Sequence, residues 1–126
     1  MKRTLTYTFG VIGAISWTIT LFLRGQCIDS SLFNFILGII PNIAAIWVIL
    51  ALFEQIFMQI NFEFSFKKAV HISIITLLLA LISEFIHDIY LNSPFDVNDI
   101  IATILSAIIY LIFFYLKTVK NNNFVK

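Results

Sequence analysis

Four long apolar runs constrain this chain more than any other feature. Leu5–Leu23 and Leu32–Phe53 contain no Asp, Glu, Lys or Arg over 19 and 22 residues. Ala69–Ile89 is apolar apart from His71, Glu84, His87 and Asp88, and Ile100–Leu116 follows directly on Asp99. Each run is close to the ~20 residues that carry a helix across ~30 Å of hydrocarbon. Lipid offers no partners to backbone amides and carbonyls, so such runs must satisfy them internally, as helices. Composition agrees: 60% of the 126 residues are hydrophobic and 12% charged, against about 45–50% and about 25% in a soluble domain. Both a water-soluble core and intrinsic disorder are excluded. The sequence therefore predicts an all-α fold, a four-helix transmembrane bundle forming one polytopic domain over residues 1–126. Its helices are placed at 5–23, 32–53, 69–89 and 95–116. The first run is read as a retained helix rather than a cleaved leader, because no small-x-small site follows it. The lone cysteine, Cys27, rules out an intramolecular disulfide, and a net charge of +1 implies no nucleic-acid face.

Lysine and arginine set the expected orientation. Lys2, Arg3, Lys67, Lys68, Lys117, Lys120 and Lys126 fall on one side of a four-span chain, and Arg24 alone on the other. The basic side is cytoplasmic by the positive-inside rule, so both termini are expected inside the cytoplasmic membrane of a bacterium. Glu54 and Glu63 share that side. Asp29, Glu84, Asp88, Asp96 and Asp99 collect on or near the outer face.

Residues three and four apart share a helix face, and each run carries one stripe of small and polar residues. The stripes are Thr6, Gly10, Gly13, Ala14, Trp17 and Thr20; Asn34, Gly38, Pro41, Asn42 and Ala45; Ser73, Thr76, Ala80, Ser83 and His87; and Asp96, Asp99, Thr103, Ser106 and Tyr110. Small and hydroxyl residues let membrane helices approach and hydrogen-bond, so these faces are expected to meet. Pro41 removes one helical hydrogen bond in mid-membrane, and Asn42 can serve the freed carbonyl or a neighbouring helix. The segment Asn61–Lys67 alternates apolar and polar residues, which reads as a strand or, at a membrane surface, as an interfacial phenylalanine anchor. The tail Asn121–Asn123 reads as disordered.

Ionisable groups inside a span are costly and mark candidate sites. Glu84 and His87 lie three apart at the outer end of the third run. Ser93-Pro94 reads as an N-cap and first helical residue, which puts Asp96 in the first turn of the fourth helix and Asp99 one turn on. A short link makes these helices antiparallel neighbours, so Glu84, His87, Asp96 and Asp99 are expected at one rim; Thr103, on the stripe of the fourth helix, and Asn42, as the polar floor of a cavity open to the outside, complete the candidate site. Three readings stay open for this rim: helix capping and dipole complementation, a divalent-ion site using Glu84, His87 and Asp99, or a carboxylate acid–base pair. No Ser-His-Asp nucleophile arrangement is evident, and no cofactor motif is present.

The run Glu84-x-x-His87 followed by Phe95-Asp96-x-x-Asp99-Ile100-Ile101-Ala102-Thr103 resembles the closing motif of the VanZ-like family of bacterial membrane proteins, over about a third of the chain. Gly38-x-x-Pro41-Asn42 is compatible with small relatives of that family. His87 stands where the family usually has Gln, no Arg occupies the outer link, and Ser106 stands where Gly is common. The resemblance implies a four-helix cytoplasmic-membrane protein connected with the cell envelope, whose outer polar site binds or modifies a lipid-linked or cell-wall component. Besides the lipid bilayer, a membrane-protein partner or a second copy are candidate partners. Two other functions fit a chain of this size: an oligomeric transporter or channel for small solutes or ions, and a non-catalytic assembly subunit contacting its partner through the Phe-rich loop.

Overall fold

A computed structural model describes residues 4–26 and 30–123. It contains four helices: α1 (Leu5–Arg24), α2 (Ser31–Gln59), α3 (Phe66–Leu91) and α4 (Val97–Asn123). All four are long and apolar enough to cross a membrane, and no strand occurs among the described residues. The all-α, four-helix reading is therefore correct. Cys27 and Asp29, with the basic residues Lys2, Arg3 and Lys126, lie outside the described residues.

The helix ends follow local chemistry. Thr4, Ser30 and Ser65 each accept the amide three residues on, from Tyr7, Phe33 and Lys68, which satisfies an otherwise orphaned donor. At the other ends, α2 and α3 stop at Asn61 and Asn92, whose φ of 57° and 50° lie in the left-handed region. After α2 the Asn61 amide bonds the Met58 carbonyl and the Phe62 amide bonds the Phe57 carbonyl, the pattern of a Schellman cap.

Three boundaries differ from expectation by three residues or more. α2 continues to Gln59 rather than ending at Phe53, because Glu54 is buried in the bundle (5% exposed) and does not open a loop. α3 begins at Phe66, three residues early, on its Ser65 cap. The expected loop 54–68 thus shrinks to residues 60–65. It forms no strand: Phe64 packs against Phe57 and Phe114, while Phe62 stays exposed. α4 runs through Asn123, so the asparagine tail is helical rather than disordered.

α2 is the hub. It packs on α1, α3 and α4, α3 also packs on α4, and α1 reaches α4 more slightly. Gly10 and Gly13 make the α1–α2 seam close. A Cβ on Gly10 would collide with the Ala51 side chain, and one on Gly13 would lie 2.9 Å from the Ala44 carbonyl. The interior joins an apolar cluster of Ile46, Leu50, Ile72 and Tyr110 to many small and polar residues: Thr6, Thr20, Ser73, Thr76, Thr103 and Ser106 are buried with Ala44, Ala69 and Ala102. Most of the large aliphatic side chains face outward, an arrangement that suits lipid as solvent. Two buried hydroxyl bonds tie the bundle across: Thr6 with Tyr110 at 2.8 Å, and Ser106 donating to the Ile43 carbonyl at 2.9 Å.

The stripes met this interior unevenly. That of α4 is buried at Thr103, Ser106 and Tyr110, and that of α1 at Thr6, Gly10, Gly13 and Thr20, though Ala14 and Trp17 are exposed. In α3 the buried face is Ala69, Ile72, Ser73 and Thr76, and Ser83 and His87 are exposed. In α2 the buried residues are Leu37, Ala44, Ile46, Leu50 and Glu54 rather than the expected set. A hub helix with neighbours on several sides has no single protein face.

Candidate functional site

The site forms where α2, α3 and α4 meet at the end of the bundle bearing Arg24 and Asp99. Glu84, half-buried on α3, accepts the Asp96 backbone amide at 3.2 Å. The Asp96 carboxylate in turn accepts the Asn98 amide at 2.8 Å. These bonds fasten the link 92–96 between α3 and α4, and a Phe85–Phe95 ring contact of 5.3 Å holds its middle. The cap of α4 is therefore Asp96, not Ser93. With Phe95 drawn onto α3, the helix opens only at Val97.

Asp99 sits in the first turn of α4, half-buried, with the Asn42 side chain beside it across the cavity. Glu84, Asp96 and Arg24 are its charged neighbours. Between these groups lies a cavity of about 230 Å³. Its polar lining is Asn42, Thr76, Ser83, Glu84 and Asp99, and its apolar lining includes Ala45, Ile49, Ala80 and Ile100. Thr76, Ala80, Ser83 and Glu84 follow one face of α3, so the cavity runs about 12 Å along that helix. Two carboxylates and an amide at one end, with hydroxyls along the wall, accept hydrogen bonds from hydroxyl, amide or ammonium donors. The volume suits a headgroup-sized fragment rather than a drug-sized molecule.

Asn42 is free to face Asp99 because another residue serves the proline. Pro41 has no N–H, so the Leu37 carbonyl, four residues back, loses its helical donor. Arg24, in the last turn of α1, donates to that carbonyl at 2.7 Å. Sequence reasoning offered Asn42 either for this task or for a neighbouring helix, and missed Arg24. The available signal was that Arg24 is the sole Lys or Arg in the sequence between Arg3 and Lys67.

The structure brings Asn42, Glu84 and Asp99 around one cavity, with Asp96 exposed beside it. It does not bring in the other two expected residues. His87 is exposed, and its carbonyl receives the Asn92 and Ser93 amides that close α3. Thr103 is buried and donates to the Asp99 carbonyl at 2.8 Å without lining the cavity. Among the described residues no three His, Cys, Asp or Glu side chains gather as a metal-ligand set. A second polar centre also escaped the sequence reading. Glu54, at the opposite end, is buried and accepts the Thr4 hydroxyl, and the buried Thr6–Tyr110 pair lies in the same half of the bundle. The helical period running on through Gln55, Ile56, Phe57 and Met58 was the signal that Glu54 lies within a span. Comparison with family models, with characterised proteins and with solved structures gives no match.

Proposed function

We propose that this chain is a VanZ-like protein of the bacterial cytoplasmic membrane, both termini inside, whose outward-facing cavity binds or modifies a lipid-linked or cell-wall component. The observation that carries the reading is the juxtaposition of Glu84, Asp99 and Asn42 around a cavity opening among membrane-spanning helices. Carboxylates in a span are costly unless they serve a partner or a ligand. Glu84 holds one backbone amide, which leaves acceptor capacity on both carboxylates for donors on a ligand. A ligand whose tail resides in lipid reaches such a cavity sideways from the bilayer. The test is a deletion strain complemented with wild type, Glu84→Gln or Asp99→Asn at matched expression. Altered sensitivity to envelope-directed antibiotics and altered lipid composition in both variants support the reading. Wild-type behaviour in both removes it.

A second reading rests on a different residue. Glu54 is a buried carboxyl inside a helix long enough to span, as ion-coupled transporters require. Proton- or ion-dependent flux in reconstituted vesicles, abolished by Glu54→Gln and untouched by Asp99→Asn, would favour an oligomeric transporter instead.

A further inference from the structure

The link between α3 and α4 runs back along α3 instead of crossing over its end. The Ser93 amide bonds the His87 carbonyl, the Phe95 ring meets Phe85, and the Asp96 amide bonds Glu84. Successive link residues thus meet successively earlier residues of α3. Glu84 stands two turns before Leu91, where α3 ends, so α4 begins about 10 Å short of the level that α3 reaches. α1 and α2 agree with this offset. Arg24, in the last turn of α1, meets α2 at Leu37, and Asn42, beside Asp99, lies more than one turn deeper along α2.

Beyond the level where α4 starts, the helices ask for different surroundings. Phe22 on α1, Leu32 and Phe35 on α2, and Ile86 and Ile89 on α3 are all exposed there, and these apolar surfaces suit lipid up to the ends of their helices. The link and the start of α4 instead expose Asn92, Ser93, Asp96 and Asn98. Non-helical backbone at membrane depth persists only where protein encloses it or water meets it. A helix start also leaves four backbone amides without helical partners. Glu84 takes the amide of Asp96, and the Asp96 carboxylate takes that of Asn98. Protein does not enclose the exposed remainder, and lipid offers it no partner, which leaves water.

We infer that water fills a notch in the bilayer beside the start of α4 and reaches Asp99, about 10 Å inside the level at which α3 ends. The Glu84–Asp99 cavity is then approached from the aqueous side as well as from lipid, and the group it receives is a polar one that stays hydrated until it meets the carboxylates. The notch follows from helix levels and exposures alone, so it stands or falls separately from the envelope role proposed above.

The test measures labelling of the full chain in phosphatidylcholine bilayer discs by a charged, lipid-insoluble methanethiosulfonate. In a Cys27→Ser background, Asn98→Cys on α4 is compared with Ile86→Cys on α3, both at exposed positions of similar level. Only the thiolate reacts, and each unit that lipid adds to a thiol pKa slows it about tenfold. Asn98→Cys is therefore expected to label at least about tenfold faster than Ile86→Cys. Slow labelling of both overturns the proposal, because water then misses the start of α4. Fast labelling of both also overturns it, because water then surrounds the whole bundle at this level. Leu105→Cys, exposed two turns deeper on α4, should label as slowly as Ile86→Cys, and fast labelling there replaces the notch with a deeper channel. Hydrogen exchange of the unaltered chain in the same discs needs no variant to fold. Residues 92–99 should exchange as fast as the 60–65 loop, and protection equal to that of mid-span helix overturns the notch.

Discussion

Pro41 and Arg24 show how one residue can be required by the absence of an atom on another. The Leu37 carbonyl has no helical donor because Pro41 has no N–H, and Arg24 supplies one from a different helix. Removing the guanidinium with Arg24→Gln should cost about 1–3 kcal/mol, the range for stranding an acceptor that had a charged partner. In a Pro41→Ala background the residue-41 amide returns to the same carbonyl, so the same Arg24 change should cost little. Unfolding of the four proteins in detergent, arranged as a double-mutant cycle, measures the difference, and equal costs in both backgrounds would show that Arg24 does not serve the proline. The buried Thr6–Tyr110 bond is a plainer case. Bonds between membrane helices average about 0.6 kcal/mol, because the unfolded chain in lipid also finds partners. Tyr110→Phe should lower stability by about that much in the same assay, and a loss of several kcal/mol would mean that the hydroxyl holds more than Thr6.

At the scale of helices, the α1–α2 seam depends on missing side-chain atoms. Gly10→Ala places a methyl against the Ala51 side chain. It should destabilise by about 1–3 kcal/mol, as overpacking does, although alanine is the better helix former. Gly10→Ala/Ala51→Gly should recover most of the loss, since the methyl has only changed sides. Gly38 is the contrast: a Cβ there meets nothing within 4 Å, so Gly38→Ala should be neutral or stabilise by about 1 kcal/mol. Thermal or denaturant midpoints in detergent separate these outcomes, and destabilisation by Gly38→Ala would contradict the open space around it. The same pair shows how much of the packing was legible. Both glycines stood in small-residue stripes, and sequence spacing alone treats them alike. Only one faces a neighbour, because a stripe says that close approach is allowed and not where the next helix lies. On α4 the stripe sufficed, since its protein side is narrow and holds Thr103, Ser106 and Tyr110. On α2 it failed, since three helices surround the hub.

For the molecule as a whole, the number of spans was readable because bilayer thickness imposes one length on every crossing. The pairing of Glu84 with Asp99 was readable because a short link forces α3 and α4 together. Arg24 and Glu54 were not, because their partners lie 13 and 50 residues away in the chain, and only the completed bundle brings them into reach. The completed bundle is also electrically asymmetric. Lys67, Lys68 and Lys117 outnumber Glu54 and Glu63 at one end, and Glu84, Asp88, Asp96 and Asp99 outnumber Arg24 at the other. If the lysine end is cytoplasmic, reporters fused in the 60–65 loop and after α4 should both be active as cytoplasmic enzymes, and a reporter in the 92–96 link only as an exported one. The reading can be pressed further by moving charge. Replacing Lys67 and Lys68 with Gln and adding two lysines to the 92–96 link weakens the bias from both ends, and should produce a mixed population with each reporter partly active in both compartments. Retention of a single orientation by that variant would show that the remaining basic residues or the order of span insertion sets the topology. An exported reporter after α4 in the unaltered chain would place the Glu84–Asp99 cavity on the cytoplasmic face, and a cell-wall ligand could no longer reach it.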